Sequence, residues 1–345
     1  MRTVERAAKT SMLALALLTF ASAVSASESK SCGEAVEKKQ WANALSLCAV
    51  AAKEGDSLAQ LHLGVMYYHG RGTKQDYLQA VRWWTLAAEQ GLAYAQHNLA
   101  QMYHNGQGTT QDYAQAARWW MSAAEQGLAR AQYNIGHSYK HGRGVTQDYA
   151  QAVRWYTLAA NQGDAGAQYN LGLMYVNGQG VPQDYVQAER WWTLAVKQGD
   201  PQAQYNLGLM YMKGQGVPQN HTLAVRLWTL SAEQGIAQSQ YNLGQIYHFG
   251  RFVEQDYAQA TRWYKLAAEQ GRSDAQHNLG FLYSNGLGVA QDLVRAHMWF
   301  HLAAASGNAT SVKNLDLLAT KMNPQQIAQA QQMARDCATK KFKGC

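Results

Sequence analysis

The chain has 345 residues, 47% hydrophobic, 15% charged and 11% aromatic, which is enough apolar material to bury large cores and too much for a disordered polyelectrolyte. Its formal net charge of +7 sits at the ends: residues 1–26 hold three bases and one acid, residues 308–345 six bases and two acids, and 27–307 keep 21 bases against 20 acids. A body so balanced lacks the basic stripe of a nucleic-acid binder.

Arg2, Arg6 and Lys9 precede an apolar run from Met12, and small residues close it at Val24-Ser25-Ala26. That is the composition of a cleaved secretory signal over 1–26. The run is too short and interrupted to span a bilayer comfortably, and no later segment is apolar enough to do so. Cys32 follows Ser29-Lys30-Ser31, a poor site for a lipid anchor. The mature chain is expected to be exported, to the periplasm or beyond the cell. Residues 27–55 read as a capping segment. Ala42 to Gly55 aligns with the second helix of the repeat described below, Ala44 matching Ala80 and Ala52 matching Ala88. The four cysteines, Cys32, Cys48, Cys337 and Cys345, allow three pairings, and export permits disulfides. Local bonds Cys32–Cys48 and Cys337–Cys345 are the economical choice if the chain ends lie far apart. A free C-terminal pair is the alternative.

From 56 to 307 the sequence repeats. Gly70, Gly106, Gly142, Gly178, Gly214, Gly250 and Gly286 are each 36 residues apart, and Tyr67 and Gly91 start series with the same interval. A Gly-x-Gly before a helix could cradle phosphate, but a catalytic loop is needed once and this one recurs in every unit. Self-similarity at this period marks stacked helical hairpins. Ala59, Leu63 and Tyr67 form one stripe of a first helix, with Gly70 placed for a left-handed cap. Asp76 with Gln79 opens a second helix in capping-box spacing. There Tyr77, Ala80, Trp84, Ala87 and Ala88 share a face, and Gly91 ends the helix. Ten of the eleven tryptophans lie in a doublet at Trp83/Trp84 and its equivalents, whose second position is always aromatic. Large rings opposite alanines suit close helix packing, whereas nucleic-acid stacking would need them exposed. After Gly307, Thr310 to Lys321 reads as one more first helix, and Asn323-Pro324-Gln325-Gln326 caps a last helix to about Lys340. Residues 308–345 are thus a C-terminal cap, as terminal repeats require.

The pattern A-x-x-x-L-G-x-x-Y, then G-x-G, then D-Y-x-x-A-x-R-W-W-x-x-A-A-x-x-G resembles the Sel1-like repeat family, relatives of tetratricopeptide repeats. Departures are Ala100 for the helix glycine, Asn220 for the capping Asp and Phe252 for the second loop glycine. The resemblance implies an all-α, right-handed α/α superhelical solenoid whose first helices line a concave groove that binds proteins or extended peptides. Its candidate partner-binding residues, transferred on that resemblance, are Tyr94, His97, His104, Arg130, Tyr133, His137, Lys140, His141, Tyr169, Tyr205, Met212, Tyr241, His248 and Phe249. Such a groove would be nearly neutral, with a basic portion at Arg130, Lys140 and His141. Large anchors of these types suit protein recognition. The family points to scaffolding of envelope or cell-wall enzymes, or to host proteins if the chain leaves the cell.

Two other readings are weighed and set aside. His137 and His141 have the spacing of two metal ligands on a helix, but neither a glutamate between them nor a nearby cysteine completes a site, so no metal and no cofactor is expected. Ser27-Glu28-Ser29-Lys30 matches the S-x-x-K of penicillin-binding enzymes, a chemistry described for some cysteine-rich relatives, but no S-D-N or K-T-G follows. The chain is read as a binding protein and not an enzyme.

Overall fold

The computed structural model describes residues 30–345. The secretory signal expected over 1–26 and the serines of the S-x-x-K match therefore lie outside the described residues. Every regular element among the described residues is an α-helix. Helical residues 30–37 (α1) and α2 (Trp41–Lys53) precede seven hairpins. These are α3 (Ser57–His69) with α4 (Tyr77–Glu89), α5 (Ala93–Asn105) with α6 (Tyr113–Glu125), and α7 (Ala129–His141) with α8 (Tyr149–Asn161). They continue as α9 (Ala165–Asn177) with α10 (Tyr185–Lys197), α11 (Pro201–Lys213) with α12 (His221–Glu233), α13 (Ala237–Phe249) with α14 (Tyr257–Ala268), and α15 (Ser273–Asn285) with α16 (Leu293–Ala305). α17 (Ala309–Ala319) and α18 (Pro324–Thr339) follow.

The chain divides into two compact units: the described residues through Ala167 with Gln179–Val181, and Gln168–Gly178 with Pro182–Cys345. In both, side chains at the hairpin centre are buried: Trp84 is 3% exposed, Trp120 4%, Trp192 3% and Tyr264 0%. Each such ring removes about 150–250 Å² from water. The ends are closed as the cysteines suggested. Cys32 bonds to Cys48 with Cα atoms 4.8 Å apart, and Cys337 to Cys345 at 5.7 Å. The first bond fixes α1 on α2 against Ala59 and Leu63. At the other end, Leu318, Met322 and Ala330 cover Phe300, and Ala334 and Cys337 pack with Trp299.

Caps set the hairpin geometry. Gly70 takes φ 68°, the left-handed cap that an L side chain resists. Asp76 Oδ1 accepts the Gln79 backbone N–H at 3.0 Å, but the spacing does not close a capping box there. The backbone N–H of Asp76 is already donated to the Tyr67 carbonyl at 2.9 Å, a bond repeated at Asp112, Asp148, Asp184 and Asp256. Only a terminal helix whose N-cap N–H is free can close the box, and Asn323 with Gln326 does so in both directions. The glycine two places on has a separate task. A Cβ at Gly108 would collide with the Tyr77 backbone, and one at Gly144 with that of Tyr113, so this glycine lets these loops rest on the preceding hairpin.

A glutamine ladder runs beside the rings. Gln96 Nε2 donates to the Ala88 carbonyl at 3.2 Å, and its Oε1 accepts from Gln126 Nε2 at 2.8 Å. Gln60 with Gln90, Gln132 with Gln162 and Gln240 with Gln270 repeat both bonds, and Gln204 with Gln234 repeats the amide pair. A buried amide is costly unless bonded, so Gln60, Gln96, Gln132 and Gln240 each tie their own hairpin to the helix before it. In the last hairpin the donor position is Ser306, whose hydroxyl bonds Leu302, and Gln276 Oε1 is left buried without a partner.

Candidate functional site

The candidate wall is built by the side of each first helix that faces away from the hairpin core. Each helix starts from a fixed N-cap region and stops at a left-handed glycine, so equivalent positions share one register. In the first unit Tyr94 is 60% exposed, Arg130 and His141 are exposed, and His97, His104, Tyr133, His137 and Lys140 are half-buried. In the second unit Tyr169, Tyr205, Met212 and Tyr241 are half-buried and Phe249 is 53% exposed. His248 is buried, at 9% exposure.

Neighbouring rings explain these depths. The residue after the constant tyrosine sits between the first residue of the second helix and its core ring. His104 lies 5.1 Å from Tyr113 and 5.2 Å from Trp120. His248 packs on Tyr257 at 5.6 Å and on Tyr264 at 6.0 Å, and Phe249 stacks flat on it at 4.4 Å. The tyrosines of the wall are also tethered: Gln245 Nε2 donates to the Tyr241 hydroxyl at 3.0 Å, and the Arg272 guanidinium lies 4.4 Å from its ring. Such rings are pre-positioned, so little rotamer freedom is lost when a ligand lands on them.

The electrostatics differ along the chain. Burial, helped by Arg130, pushes His97 down to about 4. Burial also lowers His137 to about 4, reinforced by His141, Arg143, Lys140 and His104. All these influences on His137 are positive. Arg143 is absent from the residues selected by sequence. It lies in the loop beyond the helix, where only its nearness to the histidines marks it. The His137 and His141 rings are 4.3 Å apart, but among the described residues no group of three or more His, Cys, Asp or Glu could hold a metal. A cavity of about 230 Å³ opens in the second unit among Phe281, Leu293, Phe300, Leu317 and Lys321.

The family model described as Sel1 repeat matches residues 57–92, 93–128, 129–164, 165–200, 201–236, 237–271 and 273–308. A Sel1 repeat protein from Oxalobacter formigenes of known structure is 35% identical, covering 83% of this chain and 81% of that one, with a TM-score of 0.68. The c5321 protein of uropathogenic Escherichia coli, which displays an SLR fold, is 31% identical, over 87% of this chain and 81% of that one, with a TM-score of 0.45. No curated protein matches. With matched repeats spanning most of its length and hairpins of this construction, the chain belongs to the Sel1 repeat family.

Proposed function

We propose that the mature chain is an exported, non-enzymatic scaffold that holds other proteins or extended peptides on its first-helix walls, in cell-envelope assembly or the regulation of cell-wall enzymes. One observation carries this reading. The frame is constant from repeat to repeat while the wall varies: the residue after the fixed tyrosine runs Tyr68, His104, Lys140, Val176, Met212, His248, Ser284. The paired cysteines support export, because such bonds persist in oxidising compartments. No helix among the described residues is long and apolar enough to cross a membrane. The step from repeat fold to binding rests on analogy.

The test is a crosslinking pull-down from the native envelope. Changing Tyr169, Tyr205 and Tyr241 together to Ala should abolish capture of the main partner; because each ring also packs on a core cluster, Tm falls as well, and capture is compared at a temperature where circular dichroism shows the variant still helical. Undiminished capture would reject the wall as the binding surface. Fractionation should place the protein within the envelope. Recovery in the medium would favour host proteins as partners.

A further inference from the structure

We propose that the cavity between the seventh hairpin and α17 seats one aromatic side chain of an extended polypeptide, with a carboxylate beside that ring held by Lys321. This rests on the scaffold reading and names the anchor that the end of the wall takes.

Two positions meet on the wall side of each hairpin: the residue after the constant tyrosine and the residue that opens the second helix. The opening residue is a tyrosine or histidine in the first six hairpins, from Tyr77 to Tyr257, and Leu293 in the seventh. The other position adds the rings of Tyr68, His104 and His248, and is Ser284 in the seventh. The seventh hairpin alone has a ring at neither. Where both are rings they pack on each other and on the core: Tyr68 lies 5.4 Å from Tyr77 and 5.6 Å from Trp84, and His104 and His248 repeat the arrangement. The backbone of the seventh hairpin keeps the same frame. Gln291 Nε2 donates to the Ser284 carbonyl at 2.8 Å, as Gln75, Gln111 and Gln255 do to Tyr68, His104 and His248. What differs is side-chain bulk, and the cavity of about 230 Å³ opens here, with Ser284, Leu293 and Phe300 in its lining.

The lining selects the occupant. Phe281, Leu317 and Leu318 complete its apolar side, and Phe281 and Leu317 stay exposed at the rim. An apolar cavity of about 150 Å³ accepts benzene, so this one has room for one ring and is too small for the ligands of pockets of about 300–1,000 Å³. The rings that fill the equivalent place in other hairpins show the contact a guest ring would make on Phe300. An opening of about 210 Å³ also lies at the equivalent place in the first hairpin. There Tyr68 already packs on Trp84, and Gln101 stands where the last opening has Leu317. The cavity also continues the wall: Phe249 stacks on His248, whose ring lies 5.8 Å from Phe281. Lys321 carries the one charge among the lining residues, and none of them is a carboxylate. A cation at the mouth of an apolar slot complements an acid next to the ring.

The experiment titrates N-acetyl-Phe-Glu amide into the full mature chain and follows saturation transfer to its protons by NMR. The Ala-Glu and Phe-Gln amides and decanoate are the further probes. The Phe-Glu compound should bind about tenfold or more tighter than Ala-Glu and about threefold tighter than Phe-Gln. Lys321→Gln should erase the second difference. Ser284→Tyr restores the ring that Tyr68 supplies in the first hairpin, so it should cut Phe-Glu affinity by about tenfold or more while Tm holds or rises. Ser284→His, the ring used at His248, is the second variant should the tyrosine overpack, and should have the same effect. Equal binding of Ala-Glu, or full binding to both filled variants, overturns the ring slot, and equal binding of Phe-Gln overturns the role of Lys321. Decanoate bound tighter than Phe-Glu, and lost in Ser284→Tyr, overturns the proposal in favour of a free apolar acid. A dimer in sedimentation that Ser284→Tyr dissolves overturns it in favour of a second copy. Absence of binding by any probe overturns it too. The scaffold reading falls separately, if pull-down capture ignores the changes at Tyr169, Tyr205 and Tyr241, none of which lines the cavity.

Discussion

Trp84, Trp192 and Trp228 each donate their indole N–H to a carbonyl of the first helix, those of Leu61, Tyr169 and Tyr205, at 3.2, 3.0 and 3.0 Å. The bond is possible because the facing residue is glycine. A Cβ at Gly64, Gly172 or Gly208 would overlap the indole edge. The second repeat performs the substitution naturally: Ala100 stands in the glycine position, and Trp120 Nε1 is buried with no partner. Gly172→Ala should therefore strand the Trp192 donor. The loss of about 1–3 kcal/mol for a buried unsatisfied group is offset by about 1 kcal/mol of helix propensity, so a net cost of about 1 kcal/mol is expected in urea unfolding. Ala100→Gly reverses both terms, so it should gain about 1 kcal/mol and add a slowly exchanging indole proton by NMR. Should Gly172→Ala keep its protected indole signal at full stability, the glycine is not there for the tryptophan.

The hairpins meet through loops, and one junction breaks the rule in a paired way. Where the second to fifth and seventh loops have glycine and face a tyrosine at the start of the preceding second helix, the sixth loop has Phe252 at φ 69° and its neighbour is His221. The two rings stack at 3.9 Å, 24° from parallel, and His221 Nδ1 also lies 3.3 Å from Met212 Sδ. The left-handed backbone costs a side chain about 1–2 kcal/mol, which ring stacking of about 0.5–1.5 kcal/mol largely returns. Phe252→Ala keeps the backbone cost and loses the stack, so it should be about 1 kcal/mol less stable than Phe252→Gly, which loses both. A reversed order in chemical denaturation would refute the coupling. This junction also shows where sequence stops being legible. Asn220 and Phe252 are visible as departures from the repeat, but only coordinates reveal that the phenylalanine sits on the histidine beside that asparagine. The helices, the left-handed caps and the core rings could be read because each depends on residues within one hairpin and recurs. The glutamine ladder could not: a polar residue every 36 positions looks like surface, and its burial depends on the preceding helix. The open capping box has the same cause, a carbonyl nine residues away claiming the N–H. In the wall, register alone placed Tyr94, Arg130, His141 and Phe249 at the surface, while His248 is covered by rings that no local pattern announces.

Eight histidines, spread over both units, act in one direction. His62, His97, His104, His137, His141, His248, His277 and His297 are all held below their usual value, with burial the largest cause in each. Packing on aromatic neighbours leaves the ring little room for the water an imidazolium needs. In the unfolded chain these groups take up protons near pH 6.5, while folded His97 and His137 wait until about 4. Between those values the unfolded state binds more protons, so stability rises with pH. The contribution is complete above about pH 6.5 and drains away as pH falls towards 4. The urea midpoint should thus drop between pH 7 and pH 5, an interval that stays above the ordinary carboxylate range and so isolates the histidines. His97→Gln, which cannot charge, should flatten the dependence by on the order of 1 kcal/mol after allowance for solvent screening. A midpoint that holds or climbs on acidification to pH 5 would mean that the imidazoles find water or a counter-charge in the folded chain, and that packing is not what keeps them neutral.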